Sequence, residues 1–406
     1  MGRINLMHKL ILILAVVTIS AGCSRSPPPF EPQSISVPTH GNSTGPRLST
    51  GPDSELLLSW MEPGDDGTAV RYSRFRDGAW TTPGSVVENA PLFVNWADLP
   101  SVVPLGNEHL GAHWLQKSEG DWYSYDVVFT QSFDGGATWS PPFTPHTDGT
   151  PTEHGFVSMT SVDGAAALVW LDGRKMINEL TDDPIASGMM LRAAIVDGSD
   201  TLQAEQVIDK LICDCCQTDI ALAASGPIAV YRDRTVDEIR DIYVTRYVDG
   251  QWQPGDPVAS DDWEIAGCPV NGPSIAAQDS KVVVAWFSAA EEPVVRIAIS
   301  DDSGEHFSAP IEVVRSNTLG RVAVVLLDNG DIAVSWLQSS ETGSVINVRR
   351  VSADGSLGPI HAVTATAAAF SVPQMVRMGN DLVFAWTESV ETAHRVVSAR
   401  IDYRSL

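Results

Sequence analysis

The chain has 406 residues and a formal net charge of −25, from 26 Lys+Arg against 51 Asp+Glu. So acidic a surface excludes nucleic acid as a partner and suits solubility outside the cell. No apolar run after the N-terminal leader reaches the ~18 residues that a membrane-crossing helix needs.

At the N-terminus, Arg3 and Lys9 precede an apolar stretch, Leu10–Ile19, and then Ser20-Ala21-Gly22-Cys23. Such a stretch is too short to span a bilayer and reads as a secretory signal over residues 1–22. The Ser-Ala-Gly-Cys sequence resembles the lipobox of bacterial lipoproteins. That resemblance implies cleavage before Cys23 and lipidation of Cys23 as the mature N-terminus. Ser24, where an Asp would imply inner-membrane retention, points by the same analogy to the outer membrane, facing the periplasm. Residues 23–32, rich in proline, form an extended tether. Loss of the leader removes two positive charges and no negative one, taking the net charge to −27.

From residue 33 onward an aromatic residue closes a short apolar run seven times: Trp60, Trp114, Trp170, Tyr231, Trp286, Trp336 and Trp386. Their spacing of 50–61 residues is that of a β-propeller blade rather than a helical solenoid. Each run is followed by a polar loop, a second alternating run and a turn centred on Asp77, Asp134, Asp197, Asp249, Asp302 or Asp354. The pattern predicts an all-β chain of four-stranded antiparallel blades, seven in number with six as the alternative. Strands in each blade run outward from the axis as A to D. The segment 174–188 reads as a short helix or long loop. The seventh blade runs out of sequence after three strands, so residues 34–38 are expected to supply its fourth. Closure by this N-terminal strand would make residues 33–406 one domain and remove its exposed sheet edges.

Two of the turns carry more. Ser132, Asp134, Gly136 and Trp139 fit S-x-D-x-G-x-x-W, and Ser300, Asp302, Gly304 and Phe307 fit it with Phe for Trp. These turns are similar to the Asp-boxes (BNR repeats) of sialidase-like β-propellers, and degenerate copies at 77–80 and 249–252 keep the same phase. In such a turn the aspartate accepts backbone N–H groups and the aromatic packs on its sheet, so the role is structural. The resemblance places these turns on the face opposite the active site.

On that other face, the D–A and B–C loops bring a polar set toward the channel. Arg47, Trp96 with Asp98, Glu153 with His154, Cys213-Asp214-Cys215-Cys216, Cys268 and Arg321 enter successive blades. The B–C loops add Tyr123, Tyr125, Asp172, Arg174, Arg232, Arg234 and Arg240. The four cysteines, in consecutive loops, are expected to be neighbours. They read as disulfides, with Cys268 bonded to one member of the CDCC run, as a soft-metal site for copper or zinc with His154 nearby, or as redox-active thiols.

The sialidase resemblance implies arginines gripping a carboxylate, a tyrosine nucleophile activated by glutamate, and an aspartate acid–base. Candidates in these roles are Arg47, Arg174, Arg234, Arg240 and Arg321 for binding, with Tyr125, Glu153 and Asp98 for chemistry. The chain departs from the family at Pro46-Arg47-Leu48-Ser49, where sialidases carry Phe-Arg-Ile-Pro, in its seven repeats against six, and in its cysteines. The sequence therefore reads as an exported lipoprotein binding a small molecule, glycan or metal in an Arg- and Cys-lined funnel. Two alternatives stand beside it: an exo-sialidase or related glycoside hydrolase, and a scaffold for another envelope protein.

Overall fold

The computed structural model describes residues 28–51, 55–177, 181, 183–199, 202–341, 343–390 and 393–406. The proposed signal, Cys23 and the first part of the tether lie outside these residues. No helix among the described residues is long and apolar enough to cross a membrane.

All seven aromatic-closed runs are strands: Leu56–Pro63, His109–Lys117, Ala165–Asp172, Gly226–Arg232, Lys281–Ser288, Ile332–Ser340 and Asp381–Val390. Their near-continuous apolar sequences have a physical reason, since sheets cover both faces of each strand and leave no solvent side for polar residues. Trp60, Trp170 and Trp336 are wholly buried, and Tyr231 and Trp286 nearly so.

Each of these strands is the second of an antiparallel meander. The first strands are Thr44–Thr50, Ser101–Gly106, His154–Val162, Asp219–Ala223, Ser274–Gln278, Thr318–Leu326 and Gln374–Met378. They neighbour one another in chain order, and Gln374–Met378 also packs beside Thr44–Thr50. Outer strands include Gly84–Ala90, Leu202–Asp209, Ile311–Arg315 and Leu357–Ala367. In the second meander the outer position holds only the isolated pairing of Phe129 with Phe143. The sixth and seventh meanders merge into one eight-stranded sheet through a single pair, Ala367 with Glu388.

The last strand, Ala393–Asp402, pairs with an N-terminal strand, Gln33–Ile35, in the register Gln33–Arg400, Ser34–Ala399, Ile35–Ser398. That strand starts one residue earlier and is shorter than expected from the sequence. Ile35 is its buried anchor, in a cluster with Trp60, Val383 and Val396. Among the described residues of the 174–188 segment, Pro184–Ser187 is helical, capped by the Asp183 carboxylate on the Ile185 N–H.

The two sharpest turns share one hydrogen-bond pattern. Asp134 Oδ1 accepts the Thr138 N–H at 2.8 Å, while Ser132 Oγ accepts that of Gly136 at 2.8 Å. Asp302 Oδ1 accepts the His306 N–H at 2.9 Å, and Ser300 Oγ that of Gly304 at 2.9 Å. Gly136 has φ +91°, and a Cβ there would collide with the Tyr72 hydroxyl, so two demands select glycine. Trp139 Nε1 donates to Ser85 O at 3.0 Å, tying the turn to the preceding meander. Phe307 packs against the core around Ile228 and Trp286.

Candidate functional site at the channel mouth

The seven inner strands surround a channel of about 680 Å³. Two of the predicted arginines line it, Arg47 and Arg321. Arg47 Nη2 lies 3.6 Å from Asp219 Oδ1 and 3.5 Å from Ser158 Oγ, so its charge already has a partner. Asp219 is in turn held by the N–H of Ile275 at 2.9 Å and the hydroxyl of Ser274 at 3.1 Å. Arg321 differs. Its guanidinium stacks 5.0 Å from the ring centre of Trp96 and donates to Val270 O, and its Nε is buried without a hydrogen bond. Burial lowers its pKa to about 10. Trp96 keeps 37% of its surface exposed, so an aromatic face backed by a cation stands open to solvent. Gln217 braces the rim, donating to Ala97 O at 2.9 Å and accepting from Gly272 N at 3.0 Å.

Beside this pair the structure brings together all three predicted catalytic residues. Asp98 is buried at the end of the Asn95–Asp98 loop, and its Oδ2 accepts the Phe156 N–H at 2.6 Å. Tyr125 opens the third strand of its meander, its ring stacked on Phe93 at 4.0 Å with planes 7° apart. Its hydroxyl donates to Glu153 Oε2 at 3.4 Å. Gly155 makes the convergence possible, because a Cβ there would land on Asp98 Oδ2 and on the Tyr125 ring.

Burial raises the Asp98 carboxyl to about 7, outweighing the Phe156 hydrogen bond and the Arg47 charge that favour ionisation. Burial, helped by the nearby Asp214 charge, likewise raises Glu153 to about 7. Groups poised there exchange protons readily at neutral pH. Tyr125 is raised well above the phenol range, by burial first and then by Asp98 and Glu153. Its phenol is therefore a nucleophile only if Glu153, ionised, takes its proton.

Three predicted ligand-binding arginines do not join this corner. Arg174 is held by Asp172, with Nε 2.6 Å from Oδ1 and Nη2 2.7 Å from Oδ2. Arg234 pairs with Glu238 (Nη2–Oε1 2.5 Å), and Arg240 with the same carboxylate at 2.8 Å. Each has a carboxylate within its own loop, a closer partner than any across the channel, so no arginine triad forms. Arg232 is wholly interior, donating to the carbonyls of Asn271, Arg240 and Phe287.

The cysteines do cluster. Cys215 and Cys268 form a disulfide, linking the loops that enter the fourth and fifth meanders. Cys213 and Cys216 are free thiols, buried, with sulfurs 2.8 Å apart. Burial acts to raise the Cys213 thiol, yet the Cys216 hydrogen bond and the Arg232 charge bring it below the ordinary thiol range. The disulfide expected between Cys268 and one member of the CDCC run is thus present. The Sγ atoms of Cys213, Cys215 and Cys216 lie within 4.8 Å of one another, that of Cys215 is taken by Cys268, and Arg240 Nη1 lies 3.5 Å from Cys213 Sγ. His154 is not with the sulfurs; it stacks on His146 among Asp126, Asp148 and Asp172. His146, Asp126 and Asp148 were missed as candidates. The signal available was the spacing in His146-Thr147-Asp148 followed by Glu153-His154, two histidines flanking one loop.

No family model matches the chain. None of the curated proteins matches it. Among solved structures, it is similar to the BP39L lectin from Burkholderia pseudomallei, with TM-score 0.60 and 11% identity over 88% of this chain and 96% of the lectin. A protein of unknown function from Dyadobacter fermentans aligns with TM-score 0.54 and 11% identity over 92% and 99% of the two chains. The microbial sialidase Hz136 aligns over 83% and 74% at 13% identity, and its TM-score of 0.49 carries no weight. At these identities the likeness shows an all-β fold of propeller type and nothing of activity.

Proposed function

We propose that this chain is an exported, lipid-anchored, seven-bladed propeller of the Asp-box kind that binds a glycan at the mouth of its channel. Residues 33–406 form the propeller in this reading, closed by Gln33–Ile35, while residues 1–22 direct export and Cys23 carries the lipid at the outer membrane. The observation that carries the binding reading is the half-open Trp96 face backed by Arg321. Sugar C–H faces lie on aromatic rings, and sugar hydroxyls need polar partners at the ring edge, of which the Arg321 guanidinium is one. The test is binding of the leaderless protein to an array of neutral and sialylated glycans, with Trp96→Ala as control. Binding lost in the variant supports the site; no glycan bound above background refutes it.

A second reading, glycoside hydrolysis, is favoured by the Asp98–Tyr125–Glu153 convergence. Release of a fluorescent alcohol from an aryl sialoside or related aryl glycoside tests it. Turnover abolished in Tyr125→Phe and Glu153→Gln supports hydrolysis. Turnover unchanged in both, or absent in the wild type, removes it.

A further inference from the structure

Between the second and third meanders lies a cluster that the channel does not use. His146 and His154 stack with ring centres 3.9 Å apart and planes 3° from parallel. His154 is fully buried, yet neither of its ring nitrogens makes a hydrogen bond, and buried Asp148 Oδ1 lacks one too. Carboxylates nonetheless crowd both edges of the stack. Asp148 Oδ2 stands 3.3 Å and Asp172 Oδ1 3.9 Å from His154 Nε2. Asp126 Oδ1 stands 3.6 Å from His154 Nδ1 and 3.8 Å from His146 Nε2. Asp148 Oδ1 is 3.3 Å from His146 Nδ1. The two His154 nitrogens, buried and facing carboxylate oxygens without bonds to them, are donor atoms available to something beyond the protein atoms.

We propose that Asp148, His154 and Asp172 bind a divalent first-row transition metal ion. Their donor atoms all lie within 4.8 Å of one another. Donors each about 2.0–2.2 Å from a common ion are separated by little less than the distances seen here. An imidazole with two carboxylates selects this class of metal over magnesium or calcium, which take oxygen alone. Asp126 Oδ1 faces the opposite nitrogen of His154 at 3.6 Å without a hydrogen bond to it, and His146 fixes the plane of the ring by stacking. Arg174 is the competing cation, with its Nε 2.6 Å from Asp172 Oδ1 and Nη2 3.3 Å from Asp148 Oδ1. The site is separate from the cysteines and from the Trp96–Arg321 mouth, so it stands or falls apart from the glycan reading.

The test is zinc titrated into the chelator-treated, leaderless chain, with bound metal counted by mass spectrometry and heat stability followed in parallel. Expected are one zinc per chain, a raised Tm, the same stoichiometry in Cys213→Ser/Cys216→Ser, and tighter binding in Arg174→Gln. Affinity should fall by about tenfold or more in His154→Gln. Because His154 is interior, folding of that variant is checked by circular dichroism. Should it not fold, Asp148→Asn, which keeps the shape, is read in its place. Absence of zinc on the wild type overturns the proposal. So does affinity unchanged in a folded His154→Gln or Asp148→Asn, or binding that disappears with the cysteines.

Discussion

The hydroxyl of Tyr125 meets Glu153 Oε2 at 3.4 Å only because the chain carries no side chain two residues further on, at Gly155. Asp98 Oδ2 occupies the space that a Cβ at Gly155 would take. Gly155→Ala is therefore expected to displace both Asp98 and the Tyr125 ring. Overpacking of this kind costs about 1–3 kcal/mol. Thermal unfolding checks it, and an unchanged Tm would mean that the corner yields freely.

Asp98 gives a pH signature. Its folded pKa, about 7, lies above the ordinary carboxylate value, so the folded state holds a proton that the unfolded state releases. Its stability contribution is fully present below pH ~4 and is lost as pH rises toward 7. His146, lowered to about 4 chiefly by burial, acts in the opposite direction over much of the same range. Asp98→Asn removes only the first effect. Relative to wild type, the variant should gain on the order of 4 kcal/mol between pH 4 and pH 8. Denaturant unfolding at both pH values measures the change, and a parallel pair of curves would contradict the assignment.

At the channel mouth, the cation behind Trp96 should strengthen whatever stacks on that ring. Arg321→Met keeps much of the side-chain volume and removes the charge. Loss of a desolvated cation–aromatic contact is worth roughly 0.5–2 kcal/mol, so affinity for a bound glycan should fall by about 2- to 30-fold. Titration calorimetry reads this directly, with Arg377→Met, whose guanidinium lies over Tyr403 instead, as the control expected to leave affinity unchanged.

The Cys215–Cys268 bridge joins residues 53 apart in sequence. Closing a loop of that length stabilises by about 2–4 kcal/mol, through restriction of the unfolded chain in the usual model. Cys215→Ser with Cys268→Ser should lower the denaturation free energy by that amount. Mass mapping after alkylation of the unfolded wild type should label Cys213 and Cys216 and spare the other two.

The repeat was legible because a twofold-buried strand admits almost no polar residue, so Trp60 through Trp386 advertise their strands without any knowledge of contacts. The turns at Asp134 and Asp302 were legible for a related reason: their hydrogen bonds close within five residues. Even the union of Asp98, Tyr125 and Glu153 followed from loop phase. What phase could not give was choice of partner. Arg174 and Arg234 stood on the expected face, but local carboxylates captured them. His154 occupied the expected loop, yet its strand alternation turns it from the channel toward His146, away from the cysteines. Pairing of this sort is decided by a few ångströms between elements, a scale on which residue spacing is silent.

The pairing of Gln33–Ile35 with Ser398–Arg400 also determines how the molecule bears a load. Tension applied through the residues before Phe30 arrives first at its ring, stacked on His361 with centres 4.4 Å apart, and then at three residue pairs on the rim. Further along stand the bonds from His40 N to Glu62 Oε2 and from His394 N to Asn42 Oδ1, then those from Ser43 N to His394 O and from Val396 N to Ser43 Oγ. A pull strong enough to peel the first set would strip this edge strand from Ala393–Asp402 before disturbing any inner strand. In the lipid-anchored reading proposed above, this edge strand is a mechanical fuse placed ahead of the channel.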